Sequence, residues 1–303
     1  MIQTRAVTTA IEAQGYSIKI VSVTTRGDAD ATSSLSSIGG DGVFIKELES
    51  ALLERRADVA VHSMKDLPTD MRPELTIGAV LQREDARDVL ISRGNAYVNL
   101  SALPAGAIVG TSSIRRRAIV LMARPDARPR ELRGNVDTRV RKVLDGQYDA
   151  AIVALAGMKR IGLLDAVGGG APIPVDVMVP AVGQGAICAQ CRADDDATRE
   201  ILAPLDDAAS ALETAMERAV LRRMGGGCLV PIGANASVRE GSFTLVAVIV
   251  AADGASVVRQ SASGRLSTEV AATAVAERMA DDMLAAGGRE LVDGFTSAIA
   301  RES

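Results

Sequence analysis

The chain has 303 residues, 48% hydrophobic and 24% charged, with a formal net charge of −4; this fits two or three globular domains of about 100–150 residues. No apolar run reaches the ~18 residues of a membrane helix, and the start "MIQTRAVTTAIEAQG" lacks an apolar signal core, so a cytoplasmic protein is expected. An aromatic content of 2% leaves few stacking rings and argues against a nucleic-acid reader.

Apolar strand-like runs alternate with amphipathic helical runs over the first two-thirds. "YSIKIVSVTT" predicts a strand, and "FIKELESALLERR" a helix with Phe44, Leu48, Ala51 and Leu52 on one face. "ADVAVHS" predicts a strand with "MKDLPTD" as the loop at its carboxyl end, and "LTIGAVL" and "RDVLIS" predict further strands. "AIVGTSS" leads into the helix "IRRRAIVLMAR", "RPRELRGN" into "VDTRVRKVLDG", and "YDAAIVAL" into "AGMKRIGLL". The alternation predicts open, mostly parallel α/β sheets, with ligands beyond the carboxyl ends of strands. Residues 168–185 are rich in Gly and Pro and read as a connection, before the strand "AICAQCR".

A long helix is predicted from about Asp206 to Met224, capped by Asp206 or Asp207 and stopped by Gly225. Beyond it, "NASVRE", "FTLVAVIVAADG" and "SVVRQSAS" predict an antiparallel meander with Asp253-Gly254 at a hairpin turn. A closing helix is predicted from Ser267, its N-cap, to Gly287, its stop. The expected fold is therefore two α/β domains and a smaller C-terminal α+β domain.

Chemistry concentrates in a few places. Between Arg115 and Lys142, ten basic residues outweigh Asp126, Glu131 and Asp137, a local balance of +7. Guanidinium groups suit carboxylates and phosphates. Thr111, Ser112 and Ser113 fall at a strand-to-helix junction, where free N–H groups and the helix dipole attract anions. This reads as an anion site, with a solvated basic helix face as the alternative. Lys65 and Asp66 follow a strand, where an α/β site would lie; Lys-Asp in a loop is also commonly structural. "IGGDGVF" lacks the phosphate-loop pattern.

Cys188 and Cys191 form "CAQC", but positions three apart on a strand face opposite sides, and His62 is the sole histidine. A four-ligand zinc site at ordinary spacing is not available, nor does a GxSxG elbow accompany His62. Cys228 differs. It follows three glycines on an open loop, with Arg222 and Arg223 to favour a thiolate. It reads either as a covalent attachment point in a cleft of arginines or as a bland free thiol.

"TRGD", "GGDGVFIKELE", "ADVAVHSMKDLP", "REDARDVL", "LPAGAIVGTSSIRRR", "LRGNVDTR", "YDAAIVALAGMKRIG", "PAVGQGAICAQCR" and "GGGCLVPIG" together resemble the porphobilinogen deaminase (hydroxymethylbilane synthase) family, from about residue 18 to the end. The resemblance implies two periplasmic-binding-protein-like α/β domains, residues 1–81 plus 182–204 and residues 87–179. A C-terminal α+β domain with a three-stranded antiparallel sheet would span 208–303 and carry the attachment loop at 225–233. It implies a dipyrromethane cofactor held by a thioether to Cys228. Four porphobilinogen units would be joined to it with loss of ammonia, then released by hydrolysis as hydroxymethylbilane, in tetrapyrrole biosynthesis. A cytoplasmic monomer needing neither metal nor nucleotide is implied.

By position, Thr111, Ser112, Ser113, Arg115 and Arg116 match cofactor contacts, and Lys65 would pair with a cofactor carboxylate. Arg133, Arg139 and Arg160 match residues holding pyrrole carboxylates, and Gln184 matches a residue of the cleft. Asp66 matches the catalytic aspartate, which would hydrogen-bond pyrrole N–H groups, assist proton transfer to the leaving amine and stabilise a cationic azafulvene. Asp28 lies in a matched motif, and Phe44 would stack on a pyrrole ring or belong to the core.

Two departures stand out. Asp41 occupies a position where many members carry Lys. Met1 falls inside the expected first helix, so a first strand and its Arg/Ser turn are missing. Either the start is assigned late or the chain is a truncated, inactive form. A non-enzymatic small-anion receptor of the same two-lobed fold is the rival from another class; it leaves Cys228 unexplained.

Overall fold

A computed structural model describes residues 1–23, 42–225, 230–265 and 268–302. Asp28, Asp41, Cys228 and Ser267, and the side chain of Phe44, lie outside what is described.

The first lobe begins with α1 (Ile2–Glu12), followed by α2 (Gly42–Leu53), β1 (Ala60–Ser63) and β2 (Leu75–Val80). Its third strand, β8 (Ile187–Arg192), arrives more than a hundred residues later and lies between the other two, antiparallel to both. The expectation of mostly parallel pairing fails here, because β8 re-enters the lobe from the far side. Strand alternation sorts the two faces. Ile187, Ala189 and Cys191 pack with Val7 and Ile11 of α1 and with Leu202 of α6 (Asp196–Leu202). Cys188 faces the other way, toward Ile45, Met64 and Val80. Both cysteines are buried and free, and burial pushes the Cys188 thiol up to about 12.

Residues 16–23 were expected to form a strand and do not. A strand requires a ladder partner, and none is present among the described residues. Ile20 and Val21 are left 45% and 43% exposed.

The chain crosses to the second lobe through residues 81–87. There β3 (Asp88–Ser92), β4 (Ile108–Gly110), β5 (Arg128–Arg130), β6 (Ala150–Ala154) and the two-residue β7 (Ala171–Pro172) form a sheet of order β5-β4-β6-β3-β7. β4 runs parallel to β5 and β6, while β3 is antiparallel to β6 and β7. Its helices are α3 (Ile114–Ala123), α4 (Val136–Leu144) and the short α5 (Leu155–Arg160). Ser113 and Asn135 cap α3 and α4 by accepting the Arg116 and Thr138 N–H groups; each such cap stabilises by about 1 kcal/mol. Residues 173–186 return the chain to the first lobe.

α7 (Ala208–Met224) opens the third unit. Asp207 caps it through the Ser210 N–H, and Gly225 closes it in the left-handed conformation. Asp206, the other expected cap, instead accepts the Val80 N–H at 2.7 Å. The strands β9 (Ile232–Arg239), β10 (Ser242–Val250) and β11 (Val257–Arg265) form the expected meander in the order β11-β10-β9. Gly254, with φ +77°, sits at the hairpin tip and abuts α3; a Cβ there would come within 2.3 Å of the Met122 nitrogen. Val248 and Val250 of β10 join the core of the second lobe, so the units are packed together.

The closing helix departs from expectation. Thr268 caps α8 (Glu269–Met283), and Gly287 marks a wide turn (Leu284–Gly288) rather than an end, because α9 (Arg289–Glu302) continues the chain. No helix among the described residues is long and apolar enough to cross a membrane.

Candidate functional site

The carboxyl ends of β1 and β4 carry the expected site residues. β1 ends in a single tight turn, Met64–Asp66. This turn leaves Asp66 exposed and Lys65 half-buried. Asp66 lines a recess of about 250 Å³ with Gln3, Ile45, Leu48, Val61, His62 and Ser63. β4 ends at Thr111, Ser112 and Ser113, at the start of α3. Their side chains are tied locally: Ser112 Oγ donates to Leu132 O at 2.7 Å, Thr111 Oγ1 accepts the Ser113 N–H, and Ser113 Oγ caps the helix.

Arg115 and Arg116, in the first turn of α3, are buried around one carboxylate. Asp88 Oδ2 accepts from Arg115 Nη2 at 2.8 Å, and Asp88 Oδ1 accepts from Arg116 Nη2 at 2.7 Å and Nε at 3.0 Å. Gln184 Nε2 donates to the same Oδ1 at 2.8 Å, and Gln184 Oε1 accepts from Arg116 Nη2. Burial alone would raise the Asp88 pKa; Arg115 and then Arg116 outweigh it and hold the carboxyl down at about 2. Arg115 Nη1 donates to Val179 O, but its buried Nε has no hydrogen-bond partner among the described residues.

The surrounding cations sense this cluster. Lys65 is pulled below its ordinary range by burial, with Asp66 opposing and Arg116 assisting. Burial, then Arg116, lowers Arg139, whose Nε donates to Gly134 O at 2.7 Å. Arg160 is lowered by burial against the pull of Glu84, and its Nη2 donates to Gly185 O at 2.6 Å. Lys65, Arg115, Arg116 and Arg139, four cations, thus share the region with the carboxylates of Asp66 and Asp88. The structure brings Lys65, Asp66, Arg115, Arg116, Arg139 and Gln184 into one electrostatic neighbourhood, while Arg160, at the end of α5, reaches the return crossover at Gly185. Arg133 instead pairs at the surface with Glu131, at 2.7 Å.

Arg222 and Arg223, expected to favour a thiolate at Cys228, face carboxylates of α8: Arg223 binds Asp281 at 2.6 Å and Arg222 lies 3.8 Å from Glu277. His62 is buried with its Nε2 2.9 Å from Gln190 Oε1, and burial lowers its pKa. No group of three metal-ligating side chains occurs among the described residues.

Two residues of this site were not anticipated. Asp88 carries the charge that organises both arginines; its signal was an acidic residue opening the apolar strand "DVLIS". Gln3 lines the Asp66 recess and donates to Ser63 Oγ at 2.6 Å. Its signal was its spacing, on the same helical face as Val7 and Ile11.

The donor set suits a ligand bearing several carboxylates. Guanidinium and ammonium groups are in excess, one buried guanidinium nitrogen lacks an acceptor among the described residues, and an exposed aspartate stands at the edge. The residues present therefore fit a multiply anionic organic group such as dipyrromethane.

Two α/β lobes joined by two crossovers, with a cation-rich cluster at their junction and a three-stranded C-terminal unit added, define a two-lobed α/β protein. The chain belongs to the porphobilinogen deaminase family: residues 1–200 match the family's dipyrromethane cofactor binding domain and residues 211–285 its C-terminal domain. Similar solved structures include the periplasmic VFT2 domain of Bordetella pertussis BvgS as a double mutant, with 17% identity, 72% of this chain and 82% of that chain covered, and a TM-score of 0.41. Another is a Salmonella typhimurium periplasmic binding protein of high arginine specificity, with 14% identity, 69% and 83% covered, and a TM-score of 0.37.

Proposed function

We propose that the chain is a hydroxymethylbilane synthase, a cytoplasmic monomer that condenses four porphobilinogen units in turn and releases ammonia at each addition. The observation that carries this reading is the exposed carboxylate of Asp66 beside a cluster of buried and half-buried cations. When bound, dipyrromethane supplies a nucleophilic pyrrole end as primer, tethered by a thioether to Cys228. Lys65, after β1, and Arg115 and Arg116, in the first turn of α3, would hold its carboxylates, with Thr111, Ser112 and Ser113 at the helix start. Arg133, Arg139, Arg160 and Gln184 hold those of the incoming unit. Charge-assisted, forked hydrogen bonds make guanidinium the suitable grip.

The adjacent Lys65 ammonium favours the carboxylate form of Asp66. Its carboxylate accepts hydrogen bonds from pyrrole N–H groups and offsets positive charge that develops as the amine leaves. It also exchanges a proton with that amine. Ile45, Leu48 and Val61 give the recess it lines an apolar wall.

The test is intact mass and ammonia release for the chain, Cys228→Ser and Asp66→Asn. The expected chain carries one dipyrromethane, which Cys228→Ser lacks, while Asp66→Asn keeps the cofactor and loses at least ~10²-fold in ammonia release. An unmodified, inactive chain that still binds small dicarboxylates would replace this reading with a receptor.

A further inference from the structure

Arg218 lies on α7, in the third unit, yet its guanidinium is buried against the first lobe. Nη1 donates to Leu67 O at 2.9 Å, and Nη2 donates to Pro68 O at 2.6 Å and more weakly to Thr69 O at 3.5 Å. These carbonyls belong to the segment directly after Asp66. In an extended chain successive carbonyls point to opposite sides. Leu67 is extended, with ψ 124°, so three consecutive carbonyls can converge on one cation only if the backbone curves around it. The guanidinium fork, with five donors in one plane, is the template for that curve.

The other end of the turn is pinned independently. Met64 N donates to Ala186 O at 3.0 Å, and Leu67 N closes the turn on Met64 O at 3.1 Å. Met64 and Leu67 are buried together with Ala186 and Cys188. Lys65 and Asp66 therefore sit between two clamps, Ala186 just ahead of β8 on one side and Arg218 on the other. Both Arg218 and Asp66 act electrostatically on the buried Cys188 thiol, one lowering and one raising its pKa, which places them around the same small region.

We propose that Arg218 is a positioning residue for Asp66, reaching from the third unit to shape the turn that presents the carboxylate to its substrate. This rests on the function proposed above. The role demands Arg rather than Lys, because a single ammonium cannot span carbonyls arranged for a planar fork. A displacement of about 1 Å at a reacting group costs on the order of 10²-fold in rate, so loss of the clamp acts on turnover more than on binding.

The experiment compares the cofactor-loaded chain with Arg218→Lys, Arg218→Met and Met279→Ala, the last a cavity in the third unit's core that leaves the turn untouched. Each is assayed well below its own Tm for kcat and KM toward porphobilinogen. Hydrogen–deuterium exchange at the Leu67 amide is followed in parallel. Expected are a fall in kcat of ~10–100-fold for Arg218→Met and a smaller fall for Arg218→Lys. KM should stay within about twofold, cofactor mass should be retained, and Leu67 exchange should quicken in the Arg218 variants only. Turnover per loaded molecule of Arg218→Lys and Arg218→Met within about twofold of the parent, or losses no greater than in Met279→Ala, would overturn the role. A parent chain that loads cofactor but releases no ammonia would overturn the function as well, so the two failures are told apart.

Discussion

Replacing Asp88 by Asn removes the one carboxylate between two buried guanidiniums. Asp88 is fully buried, and it binds Arg115 and Arg116 through three bonds of 2.7–3.0 Å. Breaking such a pair costs about 3–5 kcal/mol, since uncompensated charge stays buried. In Tm this is on the order of 10 °C. The pH dependence gives an independent handle. The Asp88 pKa is depressed from 3.8 to about 2, so its ionised form is favoured in the folded state. The linked stability, about 2.5 kcal/mol, is fully present above the unfolded value near 4 and is lost as pH falls through 2. About 1 kcal/mol of it is gone by pH 3. The assay is urea unfolding at pH 7 and pH 3 for parent and Asp88→Asn. The variant should be weaker at pH 7, and the gap should narrow by about 1 kcal/mol at pH 3. An unchanged midpoint at pH 7, or a gap that widens in acid, would refute the view that Asp88 is the counter-charge for Arg115 and Arg116.

Other expectations are briefer. Gly185 adopts φ +90°, and a Cβ there would sit 2.4 Å from Glu84 O on the opposing crossover; Gly185→Ala should cost at least ~2 kcal/mol, and a thermal melt identical to the parent's would dispute this contact. Burial lowers the Lys65 pKa while Asp66 raises it. By NMR titration Lys65 should deprotonate below its ordinary 10.5, and lower still in Asp66→Asn. An upward move in that variant would contradict the pairing.

What was legible in the sequence was local. Asp207 and Gly225 bound α7, and Asp253-Gly254 turns the meander, because caps and tight turns are set by neighbouring residues. Cys188 and Cys191 fall on opposite faces because strand period is a local property. The failures were non-local. Residues 16–23 have strand composition, yet hydrogen-bond pairing depends on what lies alongside. β8 inserts antiparallel because of where the return crossover delivers it. Asp88 lies 27 and 28 residues from its arginines, and Gln184 lies 96 residues from Asp88. Arg218 grips a loop 151 residues away. No periodicity encodes such partners. Among the expected site residues, those at strand ends converged, because the α/β architecture dictates where strand ends gather, whereas Arg133 lies in a loop and faces Glu131.

The charge arithmetic of the cluster explains why its parts need one another. Two guanidiniums around one carboxylate leave a net positive charge in a region with little water. Asp88 suffices to hold Arg115 and Arg116 side by side against their repulsion, and not to neutralise them. A second carboxylate in Asp88's place of equal burial would cancel the field and leave no attraction for an anionic ligand. An uncharged residue there would let the guanidiniums separate. One carboxylate for two arginines, with Lys65 and Arg139 at the margin, keeps the groups fixed while leaving attraction for a ligand that brings its own carboxylates. Asp66 lies exposed on the turn Met64–Asp66, outside that buried ion pair. Burial thus separates the two aspartates: Asp88 is enclosed as the counter-ion of Arg115 and Arg116, while Asp66 is exposed on the turn that Leu67 closes.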